Sequence, residues 1–275
     1  MTISILSNIA SLQAQRNLNG SQMLLADNIG RLSSGQRINR AADDAAGLGI
    51  SENLKAGIRG VAQATRNTND GVSLTQVAEG ALNEMQGMVI RMRELAVQAA
   101  NGTLGATERG YVQTEFTALK GEIDRLSEVT EYNGQQLLNG DAAALTMQVG
   151  FRATASDTLT VAIASATSDD LGITAAVTLS TSAGASAALA VFDAAITSLS
   201  QRRAALGAVQ NRMQVTVAAL AVAYENLSSG NSRIRDVDVA NETSSLTRNQ
   251  ILNQAGVAVL AQANQIPSAA LSLLR

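Results

Sequence analysis

The chain has 275 residues, a net charge of −3 and no His, Cys or Trp. That composition excludes imidazole bases, thiolate nucleophiles, disulfides and the usual zinc sites. The length suits one large domain or two small ones, and the slightly acidic balance disfavours nucleic acid, which selects basic patches. With three Phe and three Tyr, the core must be filled mainly by Ala, Leu, Ile, Val and Met.

Met1 to Leu6 carries neither a basic n-region nor a cleavage site, so it does not read as a secretory signal peptide. The first charged side chain after Met1 is Arg16, and Asn249 to Leu274 has none. A solvated helix carries more charge than these ends do. A membrane span carries fewer amides than Asn249, Gln250, Asn253, Gln254, Gln262, Asn264 and Gln265, so no membrane span is expected. Helical faces that are neither watery nor greasy suit contact with other protein copies. Leu32-Ser33-Ser34-Gly35 then interrupts the first helix, and Leu227-Ser228-Ser229-Gly230 matches it near the far end, which predicts a paired hinge.

The single proline, Pro267, leaves the rest of the chain free to hold long helices. Leu54, Ile58, Val61, Thr65, Thr68 and Val72 alternate by four and three. Leu74, Ala78, Ala81, Met85, Met88, Met92, Leu95 and Ala99 continue that rhythm, predicting one helix over 46–100, roughly 80 Å long. The methionines are read as core filler. A second helix carries Val112, Phe116, Leu119, Ile123 and Leu126, with Thr107 as N-cap and Glu108 in its first turn. Tyr132-Asn133-Gly134 and Asn139-Gly140 mark turns. Leu145, Met147 and Val149 alternate with polar residues, as do Leu159, Val161 and Ile163, which is a β-hairpin pattern. Ser165 to Ser186 reads as strand and loop on an exposed flank. A third helix carries Phe192, Ile196, Leu199, Leu206, Met213, Leu220, Ala223 and Leu227. The expected fold is mainly α: a long coiled-coil-like bundle with a small β-hairpin region at about 131–185, plus a terminal two-helix coiled coil.

No Ser-His-Asp, Cys-His or glycine-rich phosphate loop is present, so no enzyme and no cofactor is expected. Asp43-Asp44 and Asp236-Val237-Asp238 read as solvated or ion-paired carboxylates. They lack the third acid and the glycine-bearing loop that a calcium site needs.

Several motifs, in order, resemble bacterial flagellin. They are Asn17-Leu18-Asn19, Arg31 to Asn39, Ala42-Asp43-Asp44-Ala45-Ala46-Gly47, Asn67-Thr68-Asn69-Asp70-Gly71, Arg93 to Gln98, Leu206 to Arg212, and Gln250 through Gln265 to Leu271-Ser272-Leu273-Leu274-Arg275. The resemblance covers nearly the whole chain, is weakest from Asp141 to Ser186, and describes a short form without large outer domains. It implies a subunit exported unfolded through the flagellar type III channel, polymerised at the tip under a cap and lining a central channel with its termini. On that reading 1–33 and 234–275 form the filament-core domain, 34–45 and 228–233 are spoke-like connectors, and 46–227 is the bundle. The assembling positions are Ile5, Ile9, Leu12, Leu18, Leu25, Ile29, Leu32, Val237, Ala240, Ile251, Ala258 and Leu260.

The resemblance also implies partners: other copies, the flagellar cap, junction proteins, an export chaperone on the C-terminal helix, and a Toll-like innate immune receptor of hosts. By motif, the receptor would read Arg91 and Leu95, four apart on one helical face, together with Glu115. The implied location is an extracellular filament. A hook–filament junction protein, which shares such terminal helices, and more distantly a surface adhesin are the competing readings.

Overall fold

The computed structural model describes the backbone of residues 7–142 and 144–272, with side chains up to Gln265. It is mainly helical. The helices are α1 (Ile9–Ser34), α2 (Ala45–Ala100), α3 (Ala106–Val129), α4 (Ser182–Arg235) and α5 (Val239–Ser272). Two small antiparallel pairs join them: β1 (Glu131–Tyr132) with β2 (Gln135–Gln136), and β3 (Leu145–Gln148) with β4 (Thr158–Val161). The chain forms two compact units, Gly57–Glu225 and the combination of Met1–Ala56 with Asn226–Arg275.

The Gly57–Glu225 unit is built on a seam. Along α2, Val61, Ala64, Thr68, Gly71, Thr75, Ala78, Leu82, Met85, Val89, Met92, Ala96 and Ala99 are all buried, and their spacing alternates between three and four. That period keeps one stripe facing its partners. The two buried threonines fit because each hydroxyl donates to a carbonyl four residues back, Thr68 to Ala64 at 2.7 Å and Thr75 to Gly71 at 3.1 Å, leaving only methyl groups for the core. From α4 come Phe192, Leu199, Leu206 and Met213, and from α3 Val112, Phe116 and Ile123. Phe116 and Phe192 meet at 5.9 Å between ring centres with planes tilted by 59°, an arrangement that suits the ring quadrupoles. Gly71 occupies a seam position because a Cβ there would strike the sulfurs of Met147 and Met213.

Asn133 (φ 53) and Gly134 (φ 78) form the two-residue turn between β1 and β2, where left-handed backbone at both positions matches the strand twist. In the second pair Leu145 faces Val161 and Met147 faces Leu159, so the alternating apolar side of the hairpin lies on the helices.

Four local expectations fail for identifiable reasons. Helix α3 is capped by Gly105, not Thr107, which lies inside the first turn. Helix α4 starts at Ser182, so the last five residues of the 165–186 stretch expected as strand and loop are helical. The 165–181 stretch is no exposed flank: Ala166, Ser168, Leu171, Ile173 and Leu179 are buried. It is fastened to α3 by Asp124, which accepts from the Ser168 N–H and hydroxyl at 2.8 and 2.9 Å, and by Gln113, which accepts from the Leu179 N–H at 2.6 Å. The expected interruption at Ser228-Ser229-Gly230, and with it the 228–233 connector, lies inside α4. A helical glycine costs about 1 kcal/mol; here Leu54 packs 3.9 Å from the space at Gly230, and the Ser51 hydroxyl donates to Asn231 at 2.8 Å. The chain breaks instead after Arg235.

Candidate assembly surface

Helices α1 and α5 lie antiparallel, and polar groups line much of their seam. Asn8 caps α1 by accepting from the Ser11 N–H at 3.0 Å and donates through Nδ2 to the Ala263 carbonyl at 2.8 Å. The Ser11 hydroxyl donates to Asn264 Oδ1 at 2.8 Å. Further along, Leu18 packs over Gly256, where an added Cβ would come within 3.2 Å of Cδ1. Buried Asn28, with its amide oriented to satisfy both ends, donates to Glu242 at 3.2 Å and accepts from Asn249 Nδ2 at 3.2 Å. An amide pair of this kind fixes the register of two helices, because a slipped pairing leaves it unsatisfied. Two amides of the charge-poor tail, Asn249 and Asn264, therefore serve the helix pair itself.

The seam mixes these polar ties with half-buried leucines, and large apolar residues stand on the outside as well. Ile9, Leu12, Met23, Leu24 and Ile29 on α1 are all more than half exposed, as are Val239, Ile251, Val257 and Val259 on α5, with Leu252 at 50%. The assembling positions expected from sequence split accordingly. Leu18, Leu25, Leu32, Val237 and Leu260 are half-buried, whereas Ile9, Leu12, Ile29, Ala240, Ile251 and Ala258 face outward. Ile5 lies outside the described residues. Met23, Leu24, Val239, Leu252, Val257 and Val259 escaped the sequence reading, because helices this poor in charge have apolar residues on every face and no clear amphipathic phase.

Where the helix pair meets α2 and α4, two chain crossings are stitched together. Gln36 bridges Asp236, the Arg37 N–H donates to the Arg235 carbonyl at 2.7 Å, and the Val237 N–H donates to the Gly35 carbonyl at 3.1 Å. Gly35 closes α1 in the left-handed conformation, φ 69, which glycine adopts without a Cβ penalty. The Arg235 guanidinium donates to Gln36 at 3.0 Å and to Glu52 at 2.5 Å, and that bond holds the Glu52 carboxyl below its ordinary value. Backbone N–H groups of Arg40 and Asn39 do the same for Asp43. Two further acids here are helix caps: Asp44 accepts from the Gly47 N–H at 2.8 Å, and Asp238 accepts from the Ala240 N–H at 3.0 Å. Each satisfies an otherwise orphaned donor at a helix start. Arg31 lies 4.0 Å from both Asp43 and Glu242.

Of the three positions expected to meet a host receptor, Arg91 and Glu115 lie together on the surface and Leu95 does not. Arg91 is exposed and donates to Glu115 at 2.9 Å and Glu94 at 3.0 Å, bonds that raise its already high pKa, Glu115 contributing most. Leu95 is 1% exposed, within the core with Met92 and Ala96. The expected common face of Arg91 and Leu95 is therefore divided between solvent and interior: a four-residue step turns a helix through 400°, enough offset at the edge of a seam to bury one residue and expose the other.

Residues 5–143 match the family model for the bacterial flagellin N-terminal helical region, and residues 189–274 match that for the C-terminal helical region. A flagellin of Bacillus subtilis is 44% identical over 98% of both chains. A flagellar filament 33 kDa core protein of Treponema phagedenis is 41% identical, again over 98% of both. Among solved structures, Bacillus cereus flagellin is similar at 31% identity and a TM-score of 0.51, covering 56% of this chain and 88% of that one.

Proposed function

The chain belongs to the bacterial flagellin family and is a structural subunit that polymerises into the flagellar filament; from that premise we propose that α1 and α5 are its assembling element. The observation that carries this reading is a helix pair held in register partly by amides that leaves much of its large apolar surface exposed. Burying one Leu or Ile contributes about 1.5–3 kcal/mol, so ten large apolar residues standing half or more exposed on the pair are a strong incentive to associate. A two-helix hairpin buries too little to offset its own ordering entropy, which makes its folding depend on neighbours. We assign the filament core to 1–34 and 239–275, the connectors to 35–44 and 236–238, and the bundle helices to 45–235.

Relatives that cover 98% of the chain are a flagellin and a filament core protein, which favours this reading over a junction protein or an adhesin. By family membership we extend it to export through the flagellar type III channel, an extracellular location, no catalytic role, and contacts with cap, junction proteins and an export chaperone on α5. For the host receptor we assign contact to Arg91 and Glu115, with Leu95 supporting that surface from beneath.

The test is seeded polymerisation of the purified chain, followed by electron microscopy. Wild type is expected to elongate seeds into long filaments. The doubly substituted Ile251→Asp, Val259→Asp chain should keep the bundle's cooperative unfolding and fail to add to seeds. Normal elongation by that variant would overturn the assignment of the assembling element.

A further inference from the structure

The outer face of α4 and the tip of the β3–β4 hairpin are both apolar features that the bundle itself leaves uncovered. Helix α4 carries apolar residues on both faces. Its inner seam uses Leu206, Met213 and Leu220. On the opposite side Val215 is 70% and Val222 58% exposed, with exposed Ala218 and Ala219 between them and exposed Glu225 at the edge of that face. The two valines stand about 10 Å apart along the helix axis. The alanines between them form a low floor about as long as one aromatic ring, a saddle with an acid beside it.

The hairpin tip is a rigid knob. The Val149 and Gly150 N–H groups both donate to the Asp157 carbonyl, at 2.8 and 2.9 Å. Gln148 Nε2 donates to the carbonyls of Gly150 and Arg152 at 2.9 and 2.8 Å, and Asn67 ties the strand to α2 through the Gln148 carbonyl at 3.0 Å. Gly60 lets the loop lie on α2, because a Cβ there would come within 2.7 Å of the Phe151 Cβ. What this bracing holds outward is Phe151, 40% exposed, with the Arg152 guanidinium 5.0 Å from its ring centre. The other two phenylalanines, Phe116 and Phe192, are core residues. Braced aromatic and Arg side chains are the usual anchors of protein interfaces, since little entropy remains to be lost on docking.

We propose that the Phe151–Arg152 knob seats in the Val215–Val222 saddle of a second copy of this chain, with Arg152 paired to that copy's Glu225. Neither Arg152 nor Glu225 takes part in an ion pair among the described residues, and their charges are complementary. The heights also match. Helices α2 and α4 run antiparallel, with Arg203 near Glu79, the Gln86 amide on Ser200, and Gly71 against Met213. Gly60, which carries the knob, therefore lies level with the Val222–Glu225 end of the saddle, as copies standing side by side require. A knob on one surface and a saddle on another make a heterologous contact, which propagates rather than closes. This inference rests on the filament-subunit reading and adds to it a specific contact between bundles.

The chain has no Cys, so introduced thiols report cleanly. Phe151→Cys and Ala218→Cys chains are prepared separately, copolymerised on seeds and mildly oxidised. Disulfide-linked dimers are expected in mixed filaments, and not in mixed monomers or in filaments of either variant alone. Where the Phe151→Cys chain fails to incorporate, Arg152→Cys with Glu225→Cys replaces the pair. In parallel, Arg152→Glu should slow elongation about tenfold, and Arg152→Glu with Glu225→Arg should restore it. Mixed filaments without dimers, dimers formed equally in monomers, or a charge swap that rescues nothing would each overturn the contact. Failure of the wild-type chain to elongate seeds would instead overturn the subunit reading.

Discussion

Ending the chain after Arg248 should separate folding from assembly. The deletion removes most of α5 and with it three bonds to α1: Asn8 to Ala263, Ser11 to Asn264, and Asn28 to Asn249. At about 1 kcal/mol each these amount to roughly 3 kcal/mol, and the half-burial of Leu18 over Gly256 adds about 1 kcal/mol. Some 4 kcal/mol of docking energy for α1 is then lost, and a lone helix of 26 residues containing Gly20 and Gly30 is marginal in water. At 1.4 kcal/mol per factor of ten, this alone raises the critical concentration for polymerisation about a thousandfold. The outward Ile251, Leu252, Val257 and Val259, lost as well, raise it further. The Gly57–Glu225 unit keeps its seam. The assay is circular dichroism with thermal melting of the truncated monomer, then seeded polymerisation across a concentration series. An unchanged bundle melt with no polymer is expected. Filaments forming at the wild-type critical concentration would refute the reasoning, because contacts between bundles would then be sufficient.

Two further substitutions distinguish packing from recognition at the proposed receptor contact. Leu95→Ala should lower stability by about 2–5 kcal/mol through a core cavity, read as a depressed melting temperature. Arg91→Ala should change it by under about 1 kcal/mol, since an exposed ion pair contributes little, and should abolish receptor activation by the monomer. Full activation by the Arg91→Ala chain would sink that assignment. Acid should loosen the chain crossing beside Arg235. Glu52 and Asp43 are held below their ordinary values in the folded chain, so their contribution is complete at neutral pH and is lost as pH falls below about 4 and through the depressed values. Helicity followed from pH 7 to pH 2 should fall less steeply in Glu52→Gln than in wild type; superimposed curves would show that Glu52 carries no such linkage.

Much of the bundle was legible in the sequence because its seam is strictly periodic. A three–four alternation across α2 without a proline leaves one stripe to bury, and Asn133-Gly134 admits few turns other than the one it makes. The charge-poor ends likewise pointed to helices with uncovered apolar side chains, and α1 and α5 leave ten large ones half or more exposed. Family membership was readable from the motifs that flank these elements. What the tertiary structure alone decided was which side of each helix finds a neighbour. On α1 and α5 apolar residues lie all round, so Leu18 and Leu25 against Ile29 and Ile251 could not be sorted into seam and outside without the partner helix in place. Leu95 and Arg91 sit at the edge of a seam, where a modest angular offset decides between core and solvent. Ser228-Ser229-Gly230 carries a local preference for interruption worth about 1 kcal/mol, which the Leu54 and Ser51 contacts override. Asp44 and Asp238 became caps only once the helix starts were set. Periodicity is local and survives in the sequence; the identity of the covering surface is a property of distant residues brought together by folding.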